Sequence, residues 1–171
     1  MKFDTARVFS IATVAVCTAL CAASATAQSV REQLVGAWTM TSADALRADG
    51  TRTEMFGSTP KGTMIFSREG HFALVQTRAE LPRIAANSRD HGTPDENKAI
   101  VQGSIAYFGT YSVSEADRTI TLKLDGSTYA NLLGQGEQKR LISILNADEL
   151  RFTNPRTPSG LTLEVAWKRA K

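Results

Sequence analysis

The sequence predicts an all-β, mainly antiparallel domain in which about eight strands close into a barrel with one helical insertion. Short segments of alternating apolar and polar residues recur along residues 36–169, as in strands with one buried face. Turn residues separate these segments at the spacing that is usual in an antiparallel meander. Closing such a sheet into a barrel buries the apolar faces and removes the edges.

The first 27 residues have the pattern of a secretory signal peptide. A charged start precedes an apolar run from Val8 to Ala23, and small residues follow it. The run is short for a membrane span, so none is expected in the mature protein, although a retained N-terminal anchor is the alternative. We expect cleavage before Gln28, leaving one domain over residues 28–171 that is periplasmic or secreted.

Both cysteines of the chain, Cys17 and Cys21, lie in this N-terminal segment. The residues before them are Val16 and Leu20 rather than small residues, so lipid modification is not expected. The mature protein would contain no cysteine, which excludes disulfides, thiol catalysis and cysteine-based metal sites.

The charges of the chain are nearly balanced and scattered along the sequence. There are 20 Lys and Arg residues against 17 Asp and Glu residues. Nucleic-acid binding needs basic residues clustered on one face, so the sequence gives no support for a nucleic-acid partner. The pattern leaves the oligomeric state open.

The mature chain is expected to begin with one helical turn and a strand. The sequence SVRE fits a capping box, with Ser29 as the N-cap residue and a glutamate at the third helical position. In the strand that follows, Trp38, Met40 and Ser42 are predicted to share the buried face.

Residues 61–78 contain the clearest predicted hairpin. Two apolar strands flank the sequence SREG, in which Gly70 supplies the positive φ that such a turn usually needs. The residues predicted to face inward are Met64 and Phe66 on the first strand, and Phe72, Leu74 and Gln76 on the second.

Residues 79–103 interrupt the strand pattern and are predicted to form a lid. Prolines, glycine and asparagine indicate irregular backbone at first, and TPDE then begins a helix with Thr93 as the N-cap residue. The helix is expected to run to about Gln102, with Gly103 as its stop. Long segments without repetitive structure often serve as lids or binding loops.

The remainder of the chain returns to strands, with a short helical turn predicted in STYANLLGQG. Tyr107 and Tyr111 are expected to share the inward face of the first of these strands. The predicted strands cover residues 106–113, 119–126, 138–145, 150–153 and 161–169.

Five segments of the sequence resemble the lipocalin-like domain family, which comprises small proteins of the calycin type. LVGAWTM (34–40) contains the Gly-x-Trp with which lipocalins open, and the helix followed by AYFGTY within residues 92–113 is the most specific match. The other segments are PKGTMIFSREGHFAL (60–74), DGS (125–127) and LEVAWKR (163–169). They follow the family's order across nearly the whole mature chain.

The resemblance implies a calycin β-barrel around a cavity, with Trp38 at the closed end. It also implies that a basic residue of the last strand covers this tryptophan. Arg169 is the first candidate for that role and Lys168 is the alternative. Because one fold serves many functions, the resemblance does not fix the function.

Binding of a small hydrophobic or amphipathic molecule in the cavity is the first functional hypothesis. Apolar walls with a few polar groups are typical of such sites, although plain core filling is the favoured interpretation for any single aromatic residue. Buried tyrosine hydroxyls need partners, and an arginine of the lid could bind an acidic group or simply be solvated. The predicted ligand-binding residues are Trp38, Phe66, Phe72, Gln76, Tyr107, Tyr111 and Arg83.

Two other function classes are compatible with the sequence. An isomerase or cyclase acting in the cavity would use Tyr107, Tyr111 or His71 as acid or base. An inhibitor or interaction module is the third possibility, but such exported barrels commonly carry a disulfide. No nucleophile motif, phosphate loop or carboxylate pair appears, so no catalytic residue is predicted. His71 and His91 lack further ligands, so neither a metal nor a cofactor is predicted.

Overall fold

The computed structural model describes residues 28–155, 157 and 160–171, which form a closed antiparallel β-barrel. The predicted signal peptide lies outside the described residues. The described part contains two α-helices, nine strands and two 3-10 turns. In chain order the helices and strands are α1 (Val30–Leu34), β1 (Gly36–Leu46), β2 (Arg52–Glu54), β3 (Lys61–Phe66), β4 (His71–Thr77), α2 (Pro94–Gly103), β5 (Ser104–Ser114), β6 (Thr119–Ser127), β7 (Gln138–Leu145), β8 (Glu149–Asn154) and β9 (Thr162–Arg169). The 3-10 turns are Arg89–His91 and Ala130–Leu132.

The barrel consists of eight strands, β1 and β3 to β9, each antiparallel to its neighbours. β1 closes the sheet because it pairs with β3 and also with β9, where Trp38 lies opposite Arg169. The predicted all-β antiparallel barrel is therefore confirmed. The short strand β2 was not predicted; it pairs only with the end of β1, from Asp44 to Leu46.

A β-bulge in β1 changes which residues face the core. The register with β9 shifts between Met40 and Ser42, so the alternation that begins at Trp38 is interrupted. Ala43 and Ala45 are buried, whereas Ser42 is only half-buried. The prediction that Ser42 shares the buried face is wrong, because an extra residue in a bulge moves every later side chain to the other face.

The predicted hairpin and helix caps are present. Gly70 adopts a φ of 94° in the turn between β3 and β4, a conformation that side chains with a Cβ rarely adopt. Ser29 and Thr93 each cap a helix in a reciprocal capping box. α2 ends at Gly103, one residue beyond the expected Gln102. The inward residues of β3 and β4 are also buried as predicted.

The closed end of the barrel is densely packed. The indole of Trp38 is fully buried, and the rings of Phe66 and Tyr111 meet edge to face at 4.9 Å between centroids. α1 covers this end and buries Leu34 completely. Space for a ligand is therefore expected only toward the opposite end.

Candidate functional site

A cavity of about 220 Å³ lies toward the end of the barrel opposite Trp38. Its position follows from the strands, since its wall includes residues at the end of β4 and β8 and at the start of β5, β7 and β9. The apolar part of the wall is formed by Met55, Phe56, Ile105, Leu132, Leu161 and Leu163. The polar part includes Gln76, Tyr107, Tyr129, Gln138, Arg140 and Asn154.

Arg140 is the charged residue in the described wall of this cavity, and only 3% of it is exposed to solvent. Its Nη1 donates to the backbone carbonyl of Lys139 at 2.9 Å, and its Nη2 donates to Oε1 of Gln138 at 2.9 Å. Within the described residues, no carboxylate pairs with it and its Nε–H donates to no group. A buried charge without a counter-ion is costly, so a negative group beside Arg140 would be stabilised.

Gln76 and Tyr107 bring two further polar groups to the same wall. The side-chain amide of Gln76 and the hydroxyl of Tyr107 have no hydrogen-bond partner in the part of the chain that the structure describes. The two residues lie on the paired strands β4 and β5, where Tyr107 is opposite Leu74 and Gln76 is opposite Ile105. They are therefore diagonal neighbours on the inward face.

The other predicted aromatic residues lie in the packed core and do not line the cavity. Nε1 of Trp38 donates to the carbonyl of Leu34 at 2.8 Å, and the hydroxyl of Tyr111 donates to the carbonyl of Ser67 at 2.7 Å. Burial raises the pKa of Tyr111. Phe66 and Phe72 pack beside Tyr111 and Tyr107 at centroid distances of 4.9 and 6.1 Å. Of the predicted ligand-binding residues, the structure brings Gln76 and Tyr107 to the cavity.

The helical insertion has the predicted secondary structure, but residues 79–103 do not line the cavity. Arg83 is exposed on the irregular part of this segment. Glu96 fastens that part to α2, because its Oε1 accepts a hydrogen bond from the backbone N–H of Ala85 at 2.9 Å. This hydrogen bond, together with the one from Thr93, lowers the pKa of Glu96.

The sheet splits beside the cavity, between β6 and β7. These two strands pair only from Thr119–Leu122 to Gln138–Leu141, so residues 123–127 of β6 have no pairing with β7. The connection between the strands carries Tyr129 and Leu132 into the cavity wall. On the other side of the mouth, Met55 and Phe56 follow β2. These two connections border the cavity together with the connection between β8 and β9, which contributes Leu161; the insertion does not.

Arg140 was not identified from the sequence, although the pattern contains a signal for it. Arg140 and Ile142 are two residues apart on β7, and both are buried. Strand alternation therefore placed the arginine on the inward face. A charged residue at an inward position is uncommon and would have indicated a polar anchor in the cavity.

The histidines proposed for other roles are remote from the cavity. His71 is exposed on β4, and His91 is exposed with its Nδ1 3.0 Å from the hydroxyl of Ser88. Of the three candidate acid–base residues, Tyr107 is the one that lines the cavity. Among the described residues, no three His, Cys, Asp or Glu side chains gather as metal ligands would. The helices in this part of the chain are too short or too polar to cross a membrane.

The sequence model of the lipocalin-like domain matches residues 35–170. Among solved structures, a lipocalin-like protein from Bacteroides uniformis is 17% identical over 81% of this chain and 99% of its own, with a TM-score of 0.44. A redesigned β-barrel, mFAP1, solved bound to DFHBI, is 18% identical over 83% of this chain and 100% of its own, with a TM-score of 0.41. The comparison with curated proteins finds no match.

Proposed function

Because this chain belongs to the lipocalin-like domain family, we propose that it is an exported protein that binds a small amphipathic molecule in its barrel cavity. The observation that carries the proposal is the composition of the cavity wall. Six apolar side chains surround a few inward polar groups, among them the buried Arg140. Small-molecule sites generally combine apolar walls with a few polar groups that orient the ligand.

The size of the cavity supports a small ligand. An apolar cavity of roughly 150 Å³ accepts a benzene molecule, and the cavity here is about 220 Å³. A ligand with one ring or a short aliphatic chain fits this volume. Such a molecule could enter the cavity between β6 and β7, where the strands are not paired and the connection that contains Leu132 lies in the wall.

Export to the periplasm or the medium is part of the proposal and rests on the sequence. The first 27 residues follow the order of a signal peptide, and both cysteines fall within them. Intact mass measurement of the exported protein should give a chain that begins at Gln28. A protein retained at full length in the cell would contradict this part of the proposal.

Methyl NMR can test whether the cavity binds small molecules. Titration with 3-phenylpropan-1-ol should shift the methyl signals of Ile105, Leu132 and Leu163, which line the cavity. The methyl signals of Ile65, which is exposed on β3, should stay unchanged. Shifts confined to the outer face would contradict the proposal.

Two tryptophan substitutions provide a matched pair for the same titration. Leu163→Trp should fill the cavity and abolish the shifts, because the larger side chain occupies the ligand's space. Leu141→Trp places the same side chain on the outer face of β7 and should leave binding unchanged. Native mass spectrometry of the protein from its own source can then identify a co-purified molecule.

A further inference from the structure

We propose, building on the function proposed above, that the ligand is a small apolar monocarboxylate whose carboxylate is bound by Arg140. An arginine side chain is charged at every physiological pH, so burial cannot be relieved by loss of its proton. Arg140 is nevertheless almost fully buried, and no described carboxylate lies within ion-pair distance of it. A ligand anion would supply the missing counter-ion.

An exposed arginine of the same barrel has the carboxylate partners that Arg140 lacks. On the outside of the barrel, Arg52 reaches Asp44 at 2.8 Å and Glu164 at 2.6 Å although it is exposed. The buried arginine, where a partner matters most, has neutral partners only. Bulk solvent compensates an exposed charge, whereas a guanidinium that lines a small cavity has far less water around it.

The hydrogen bonds of Arg140 orient its guanidinium for a ligand. The contacts with Gln138 and the carbonyl of Lys139 hold the two terminal nitrogens. A guanidinium has five N–H donors in a fixed plane, so about three remain for another acceptor. Carboxylates accept two parallel N–H bonds from such a plane, which gives both strength and orientation. Gln138 is therefore a positioning residue for Arg140.

Two neutral groups of the cavity complete the polar contacts. The amide of Gln76 and the hydroxyl of Tyr107 face the same space without a partner among the described residues. Both can donate to a carboxylate oxygen that Arg140 does not saturate. The apolar wall, which includes Ile105 and Leu163, would receive the remainder of the ligand.

The charge balance favours a singly charged ligand over a phosphate monoester. The described wall contains one cationic side chain, Arg140, and no carboxylate. A carboxylate would neutralise it, whereas a doubly charged phosphate would leave one uncompensated negative charge in a largely apolar space.

The experiment compares acids with alcohols of the same skeleton, using the methyl NMR titration at pH 7. The probes are 3-phenylpropionate against 3-phenylpropan-1-ol, and octanoate against octan-1-ol. We expect the acid of at least one pair to bind at least about tenfold more tightly than its alcohol to the unmodified protein. Binding of the alcohols with equal or better affinity would overturn the carboxylate inference and leave the proposed cavity function intact. If no acid or alcohol shifts the cavity methyls, the proposed function itself fails.

Variants then test the role of Arg140. Arg140→Gln should remove the preference for the acid while the affinity for the alcohol changes less than about twofold, because the apolar wall is unchanged. Arg151→Gln removes an exposed arginine from the adjacent strand β8 and should keep the preference. A full preference for the acid in Arg140→Gln would overturn the assignment of this residue. Should that variant not fold, Arg140→Lys keeps the charge without the planar fork and should show a reduced preference; an undiminished preference in it would overturn the bidentate contact.

Discussion

The guanidinium of Arg169 lies over the indole ring of Trp38, with its Cζ 4.1 Å from the ring centroid. Three hydrogen bonds hold it there: Nη1 donates to the carbonyl of Val35 at 3.0 Å, Nη2 to that of Gln33 at 2.5 Å, and Nε to that of Ala147 at 2.7 Å. The last strand is thereby tied to α1 and to the first strand. This one side chain therefore links three parts of the chain at the closed end of the barrel.

Arg169→Met should therefore destabilise the barrel. The substitution removes the cation–π contact and leaves three backbone carbonyls without their charged donor, for an expected loss of about 2–4 kcal/mol. Urea unfolding measures the change. Lys168→Met, at the exposed neighbouring position, is the control and should change stability by less than about 0.5 kcal/mol. Equal effects of the two substitutions would contradict the role of Arg169.

The two tryptophans should respond differently to replacement by phenylalanine. Nε1 of Trp38 donates to Leu34, whereas Nε1 of Trp167 is buried without a partner in the described part of the chain. Trp38→Phe loses a hydrogen bond and packing against the Arg169 guanidinium, and we expect a cost of about 2–4 kcal/mol. Trp167→Phe removes an unsatisfied donor, which offsets part of the lost packing. Its loss of stability should therefore be smaller than that of Trp38→Phe by at least about 1 kcal/mol. Thermal unfolding of both variants decides the order, and a larger loss for Trp167→Phe would refute it.

Arg140→Met should make the empty protein more stable. Replacing an uncompensated buried charge with an apolar side chain of similar length is often stabilising by about 1–4 kcal/mol. Arg151→Met, which changes an exposed arginine that pairs with Glu149, should have little effect. Urea unfolding of ligand-free protein is the measurement, and a clear loss of stability in Arg140→Met would show that the guanidinium stabilises the fold.

Acidification should loosen the segment before α2. The pKa of Glu96 is lowered by hydrogen bonds from Ala85 and Thr93, so its contribution is complete above the ordinary value of 4.5. The contribution is lost as the pH falls through the lowered value, because the protonated group no longer accepts these bonds as a carboxylate. Hydrogen exchange of residues 84–92, corrected for the intrinsic rate, should rise in that range. Glu96→Gln should show the faster exchange already at neutral pH, and Glu80→Gln should match the unmodified protein.

The sequence predicted the barrel because alternation is a local property. Phe72, Leu74 and Gln76 alternate without interruption, and all three are buried as expected. The bulge before Ser42 was not predicted, since the extra residue is defined only by the partner strand β9. The position of Trp38 at the closed end and its contact with Arg169 were predicted from the family resemblance, and the contact is present.

The cavity was predicted less completely than the fold. Gln76 and Tyr107 were identified because their strands alternate clearly, and both line the cavity. Arg140 was missed because a strand arginine ordinarily faces solvent, and its burial depends on closure of the whole sheet. The border of the cavity was also not predicted. The connections that contain Phe56, Leu132 and Leu161 line it because the closed barrel brings them to the same end, whereas the long insertion was expected to cover it.

The pairing of β1 with β9 also sets a limit on when the protein can fold. β9 is the last of the nine strands in chain order, so the first strand has no final partner until β9 has been synthesised. Until then its edge remains open and Trp38 lacks its cover. Contacts between such distant parts of a chain form slowly, because a long loop must be closed first. A chain that ends before β9 should therefore stay unfolded, which would keep it accessible to chaperones and proteases during biogenesis.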